Sequence, residues 1–203
     1  MKEKPNLLIR IAKKLMNTFW SFIDTLSYKS EKIANTYYNK SIGIEYRKEY
    51  SIFGINNNKR ILHIGCGAFP LTELTLAEET GANIVGIDKN EKVIPFAQDI
   101  VTKRKLQNKI KIDYGNGVNY PVNGFDMIII SSCATPMIEI VDHIVNDSKK
   151  NAIIIVRELD LAIRPLLEYI RSNSNISILK KVDHYPFPIV YPLGWQAFYL
   201  VKK

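Results

Sequence analysis

The chain has 203 residues, 46% of them hydrophobic and 24% charged, with 28 basic against 20 acidic side chains and a net charge of +8. That length supports one packed domain plus a small addition, and no apolar run is long enough to span a bilayer. The lysines are scattered rather than clustered, so neither nucleic acid nor a membrane surface is an expected partner, and no small-residue cleavage site follows the N-terminus, which points to a cytoplasmic protein. Cys66 and Cys133 lack metal-ligand spacing, no metal site is expected, and both read as buried thiols near strand ends in a reducing compartment.

Residues 1–58 read as helical. Leu7, Leu8, Ile11, Leu15, Phe19, Phe22, Ile23 and Leu26 recur at helical spacing, after Pro5 at a helix start. The apolar face is expected to dock on the helices of the following domain; Arg10, Lys13 and Lys14 beside Phe19 and Trp20 give the alternative of a helix lying on a membrane. A second helix spans Glu31 to Tyr50 with Gly43 as a break, and Gly54 with Asn56-Asn57-Asn58 marks a linker.

From Lys59 the pattern becomes strands alternating with helices. Strands are expected at 60–64, 83–87, 109–113, 126–131, 151–156, 176–181 and 196–201, and helices at 70–80, 90–105, 136–147 and 160–172. Thr135-Pro136 reads as an N-cap with proline at the first helical position. Ile84–Ile87, Met127–Ile130 and Ala152–Val156 are apolar throughout, as in parallel strands covered on both faces. The fold class is therefore α/β: a Rossmann-like, seven-stranded, mostly parallel sheet with an antiparallel last strand over 59–203, plus an N-terminal helical cap.

Gly65-Cys66-Gly67 follows the first strand and, with Pro70, is expected to form the cofactor-binding turn, and Asp88 closes the second strand. Glycine permits positive φ and close approach of a ligand, and the next helix offers free N–H groups to an anion. A dinucleotide fingerprint would carry a third glycine where this chain has Pro70, so the smaller carboxylate of S-adenosylmethionine fits better. Asp88 is placed to take both ribose hydroxyls, with Lys89 beside it; capping the next helix is its alternative role, which Asn90 also suits. Asn116 and Gly117 after the third strand border the adenine, or form a plain turn. Ser131, Ser132 and Cys133 line the wall at the end of the fourth strand, and no histidine is placed to make any of them a nucleophile.

The run from Arg60 to Asp88, with Phe125-Asp126 onward, resembles the class I S-adenosylmethionine-dependent methyltransferases. Gly67-Ala68-Phe69-Pro70-Leu71-Thr72, Ile155-Val156-Arg157-Glu158 and Phe198-Tyr199-Leu200-Val201 are similar, more narrowly, to the nicotianamine synthase family. The resemblance implies a helical part covering an S-adenosylmethionine site, with Glu45 and Glu49 the candidates for that family's acid. The expected reaction is transfer from S-adenosylmethionine to a small-molecule acceptor, with methyl transfer leading. Aminocarboxypropyl transfer releasing methylthioadenosine is the alternative, and a non-catalytic cofactor-binding regulator is the second alternative.

On the acceptor side, Glu45, Tyr46 and Glu158 are the catalytic candidates. Tyr37, Tyr38, Glu49 and Tyr50 belong to the same cluster, read either as a lid or as interface packing. Arg157 and Glu158 read alternatively as an ion pair at the sheet edge. His184-Tyr185-Pro186-Phe187-Pro188, with Tyr191-Pro192 and Trp195, forms either an acceptor flap or a stiff connection. His63 reads as a core or pocket-edge residue and His143 as a surface residue, and a homodimer is the remaining partner considered.

Overall fold

A computed structural model describes residues 7–185 and 194–203, the side chains of Leu8, Tyr37, Tyr38, Asn39 and Ser41 excepted. Pro5 and the 186–193 part of the aromatic loop lie outside the described residues, as do the side chains of the Tyr37–Tyr38 pair.

Seven strands form one sheet: β1 (Arg60–Ile64), β2 (Asn83–Asp88), β3 (Ile110–Tyr114), β4 (Met127–Ile130), β5 (Ile153–Leu159), β6 (Ile176–His184) and β7 (Trp195–Lys202). Their order is β3-β2-β1-β4-β5-β7-β6. The pairs β3–β2, β2–β1, β1–β4 and β4–β5 are parallel, and β7 runs antiparallel between β5 and β6. The strand order reverses between β1 and β4, and such a reversal opens a crevice at the carboxyl ends of the strands.

Before β1 come α1 (Leu7–Lys29), α2 (Glu31–Ala34), a π-helical stretch (Asn35–Ile42) and α3 (Gly43–Phe53). Ser30 caps α2 by accepting from the Ile33 amide, and Gly54 closes α3 at φ 64°. Met16, Ile23, Ala34, Ile42, Tyr50 and Phe53 join the same hydrophobic cluster as Ile61 and Ile84, so helices and sheet share one core.

The α4 (Leu71–Thr80) and α5 (Ile94–Lys103) helices cover one face of the sheet, where Ile61, Ile84, Ile129 and Ile155 lie; α6 (Met137–Asp147) and α7 (Ile163–Ser172) cover the other, against Leu62, Ile128, Ile154 and Val156. Burial on both faces explains the unbroken apolar runs.

Several expectations change. Gly43 does not break the helix; the widening to π geometry precedes it. The docked face of α1 keeps Ile23 of the predicted stripe but otherwise differs from it. Met16, Ile23 and Ser27 are buried, with Ile9, Trp20 and Tyr28 packed beside the core, whereas Leu7, Ile11, Leu15, Phe19 and Phe22 are exposed. The helix is apolar on two sides, and periodicity alone does not say which side meets the core.

Pro136 occupies the N-cap rather than the first helical position, and Thr135 accepts from Lys89 Nζ instead of capping. Asn90, not Asp88, caps the turn that begins at Glu91. His143 is half-buried, its Nε2 2.8 Å from the Tyr120 carbonyl oxygen and its Nδ1 2.8 Å from Asp147 Oδ2, rather than a free surface residue. His184 and Trp195 are partners across β6–β7, not loop residues.

Arg157 and Glu158 do not pair with each other, and β5 is an interior strand. Glu158 holds Lys13 of α1 at 2.6 Å. Arg157, 1% exposed, holds fully buried Glu49 of α3 through Nε at 3.1 Å and Nη2 at 2.8 Å. Burial raises the Glu49 carboxyl, but the Arg157 charge, helped by His184, more than offsets this and holds it below its ordinary value.

Glu49→Ala leaves Arg157 buried without a counter-charge and is expected to cost about 3–5 kcal/mol, read by urea denaturation. A carboxyl with a lowered folded pKa contributes stability above its unfolded pKa, about 4.3, and loses it as pH falls below that value. The unaltered protein is therefore expected to lose stability more steeply on acidification than Glu49→Gln, measured by thermal melting across the acid range.

Candidate functional site

A cavity of about 320 Å³ opens at the switch point, between the carboxyl ends of β1, β2 and β4 and the inner face of α1. Its floor is the turn after β1. Gly65 at φ 92° and Gly67 at φ 67° take the left-handed conformation that glycine tolerates. A Cβ on Gly65 would stand 3.0 Å from Ser131 Cβ, and one on Gly67 would stand 2.6 Å from Asp24 Oδ2. The absent side chains let β4 and α1 close on the turn.

The turn amides already carry carboxylates. Gly67 N donates to Asp88 Oδ2 at 3.0 Å, and Ala68 N donates to Asp24 Oδ2 at 3.2 Å. An anion does occupy the turn, as the helix-terminus argument expects, but the protein supplies it. Asp88 Oδ1 accepts from Asn90 N at 2.9 Å, so each carboxylate oxygen of Asp88 holds a backbone amide and keeps a further lone pair. Two carboxylates bordering one cavity favour a ligand that is cationic and carries hydroxyl donors.

The other predicted ligand residues fall around this floor unevenly. Cys66, Lys89, Asn116, Gly117, Ser131 and Ser132 line the cavity. Lys89 is turned toward Thr135, whose carbonyl accepts from Nζ at 2.7 Å, which keeps the ammonium away from the two acids. Asn116 Oδ1 accepts from Val118 N at 3.3 Å, so its side chain also builds the local turn. Pro70 does not reach the cavity; it is buried at the N-cap of α4. Burial pushes the Cys66 thiol well up and that of Cys133 to about 11, and neither is an ionised nucleophile near neutrality.

Of the catalytic candidates, only Tyr46 lines the cavity. The Arg157 guanidinium lies 3.9 Å over its ring, and Trp195 meets the same ring edge-on at 6.1 Å. Burial raises the Tyr46 phenol, opposed mainly by Arg157, so it remains a hydrogen-bond donor at neutral pH. Glu45 is held away from the cavity by His184 Nδ1 at 2.7 Å. Glu158 also lies off the cavity, and burial raises its carboxyl against the opposing charge of Lys13.

Sequence reasoning missed several members. Asp24 is the single acid of α1, and its isolation there was the available signal. Trp20 and Met16 line the roof from the same helix. Glu73 of α4 shares a 2.7 Å hydrogen bond with His63 Nδ1 beneath the turn, and both are buried; His63 is thus the pocket-edge residue expected. Arg157, an acceptor-side candidate in the sequence, does join the cavity wall, and it brings Thr72, whose Oγ1 accepts from Nη1 at 2.8 Å.

The chain is similar to known proteins in sequence and in fold. A phosphoethanolamine N-methyltransferase of Triticum aestivum is 25% identical over 63% of this chain and 27% of its own length. An L-histidine 2-aminobutanoyltransferase of Pseudomonas aeruginosa (strain UCBPP-PA14) is 32% identical over 32% of this chain and 25% of its own. The chain thus spans about a quarter of the length of these relatives. The crystal structure of a mutant of MtNAS in complex with S-adenosylmethionine superposes with a TM-score of 0.74 at 14% identity, covering 96% of this chain and 76% of that one, which shows a shared fold. Residues 55–186, well over half of the chain, match the methyltransferase domain family, and the protein belongs to it, within the class I S-adenosylmethionine-dependent methyltransferase superfamily.

Proposed function

We propose that this chain binds S-adenosylmethionine at the ends of β1, β2 and β4 and transfers a group from it to a small-molecule acceptor, with methyl transfer as the leading reaction. The observation that carries this reading is the pair Asp24 and Asp88 converging on a glycine turn at the switch point of a methyltransferase-family sheet. When bound, the cofactor supplies an electrophilic carbon beside a sulfonium, a centre that needs placement and dry surroundings more than acid–base help.

The chain's residues divide that work. Asp88 keeps lone pairs for two ribose hydroxyls while its other contacts fix its orientation. Asp24 faces the cationic end. Asn116 and Gly117 border the base, and Ser131 and Ser132 form the wall. Tyr46, Arg157 and Trp195 face the acceptor, Tyr46 as a donor rather than a base. The helices before β1 act as a cap, and α1 excludes water from above. A cavity of about 320 Å³ lies within the ligand-pocket range of about 300–1,000 Å³, of the order the cofactor itself requires. The two free thiols suit a reducing compartment and support a cytoplasmic location.

A second reading, aminocarboxypropyl transfer, has its own support. The fold match to MtNAS extends over the N-terminal helices as well as the sheet, and one relative is named for moving a 2-aminobutanoyl group.

Incubation with S-adenosylmethionine and a panel of small amines and alcohols, followed by chromatographic identification of the by-product, tests both. S-adenosylhomocysteine is the expected product; methylthioadenosine selects the second reading, and neither product with retained binding rejects both. Asp88→Ala is expected to weaken cofactor affinity by about tenfold or more, since charge-assisted hydrogen bonds to the ribose are lost. Unchanged affinity in titration calorimetry overturns the assignment of Asp88.

A further inference from the structure

The outer face of α1 is unlike the rest of the surface. Leu7, Ile11, Leu15, Phe19 and Phe22 follow one another at intervals of four, four, four and three residues and stand 41–66% exposed. They form a continuous stripe on one side of a 23-residue helix. Thr18 and Thr25 on the same side donate their hydroxyls to the Lys14 and Ser21 carbonyls. Their hydroxyl protons are thus satisfied within the helix. The charged groups exposed on this helix are Arg10, Lys14 and Lys29, and no exposed acid accompanies them. Asp24, its one acid, is directed to the glycine turn, and Lys13 is tied to Glu158.

We propose that α1 seats the protein on an anionic phospholipid surface, apolar stripe inward and cations toward the headgroups. An apolar stripe flanked only by positive charge is the pattern of a helix lying in the membrane interface. Charge decides between this occupant and a second copy of the chain. A two-fold contact through the stripe would bring Arg10, Lys14 and Lys29 of both copies to one seam, with no exposed carboxylate on either helix to neutralise them. Phosphatidylglycerol-type headgroups supply that charge, and the acyl region accepts the phenylalanines. The inner face of the same helix roofs the cavity through Met16, Trp20 and Asp24, so the seated protein holds its cleft one helix thickness from the lipid.

The test is co-sedimentation of the full chain with vesicles of phosphatidylcholine alone and of phosphatidylcholine mixed with phosphatidylglycerol. Binding is expected to the mixed vesicles, weaker by about tenfold on pure phosphatidylcholine or in high salt, as screening of the headgroup field requires. Phe19→Ser/Phe22→Ser and Arg10→Glu/Lys14→Glu are each expected to weaken it by about tenfold or more with thermal melting and S-adenosylmethionine affinity unchanged, because all four side chains are exposed and none lines the cavity. The salt titration uses the unaltered chain and holds whether or not a variant folds. Absence of binding to the mixed vesicles, binding indifferent to salt, or a dimer in light scattering that Phe19→Ser/Phe22→Ser abolishes while the unaltered chain ignores vesicles, each overturns the proposal.

Discussion

Arg157 sits at the carboxyl end of β5 with 1% of its surface exposed, and a guanidinium there is tolerated only with its charge answered and its donors met. Glu49 answers the charge, Thr72 takes a further N–H, and the Tyr46 ring covers the cation's face. These partners come from α3 and α4, so a single buried cation fixes both helices to the sheet. His184 extends the arrangement: its Nδ1 meets Glu45, its Nε2 lies 3.1 Å from Glu49, and its ring stacks on Trp195 at 4.9 Å. The position of Tyr46 and Trp195 on the cavity wall follows from this charge balance. Replacing the pair with apolar residues of similar volume is a route to equal stability, but such residues would not set the two aromatic rings at defined angles.

The floor of the cavity obeys a different constraint. Backbone amides after a glycine turn attract negative charge, and here Asp24 and Asp88 deliver it from α1 and β2. The turn therefore presents acid rather than bare amide to the cavity. That inverts the expected electrostatics of the site, from an anion receptor to a surface suited to a cation. The floor joins the sheet's own turn and strand end to α1, which precedes the whole sheet in sequence and supplies half of the charge.

The sheet was legible in the sequence because its signals are local. Ile84–Ile87 and Met127–Ile130 are apolar on both faces, and the absence of a helical pattern between Ile176–Lys181 and Gln196–Val201 marked the antiparallel ending. Gly65, Gly67 and Asp88 were legible because strand–turn–helix order fixes where a glycine and an acid must stand. What escaped depends on pairing across distance. The partner of Arg157 lies 108 residues away and that of Ala68 lies 44 residues away; the isolation of Asp24 on α1 sets it apart, but the local pattern pairs neither Asp24 with Ala68 nor Glu49 with Arg157. Adjacent Arg157 and Glu158 look like a pair in the sequence, but each binds a different helix. The docked side of α1 escaped for the same reason, since a helix apolar on two sides has two equivalent choices until its neighbours are known.

The bond from Ala68 to Asp24 has a thermodynamic reach beyond its length. Lifting α1 breaks that contact and the Lys13–Glu158 pair together. The height of the helix and the state of the turn are thus linked variables, and whatever stabilises one position of α1 alters the affinity of the turn for its ligand by the same factor that the ligand alters the preference of the helix. A roof tied by a carboxylate in this way couples its height to the floor of the cleft through one amide, unlike a loop that swings free.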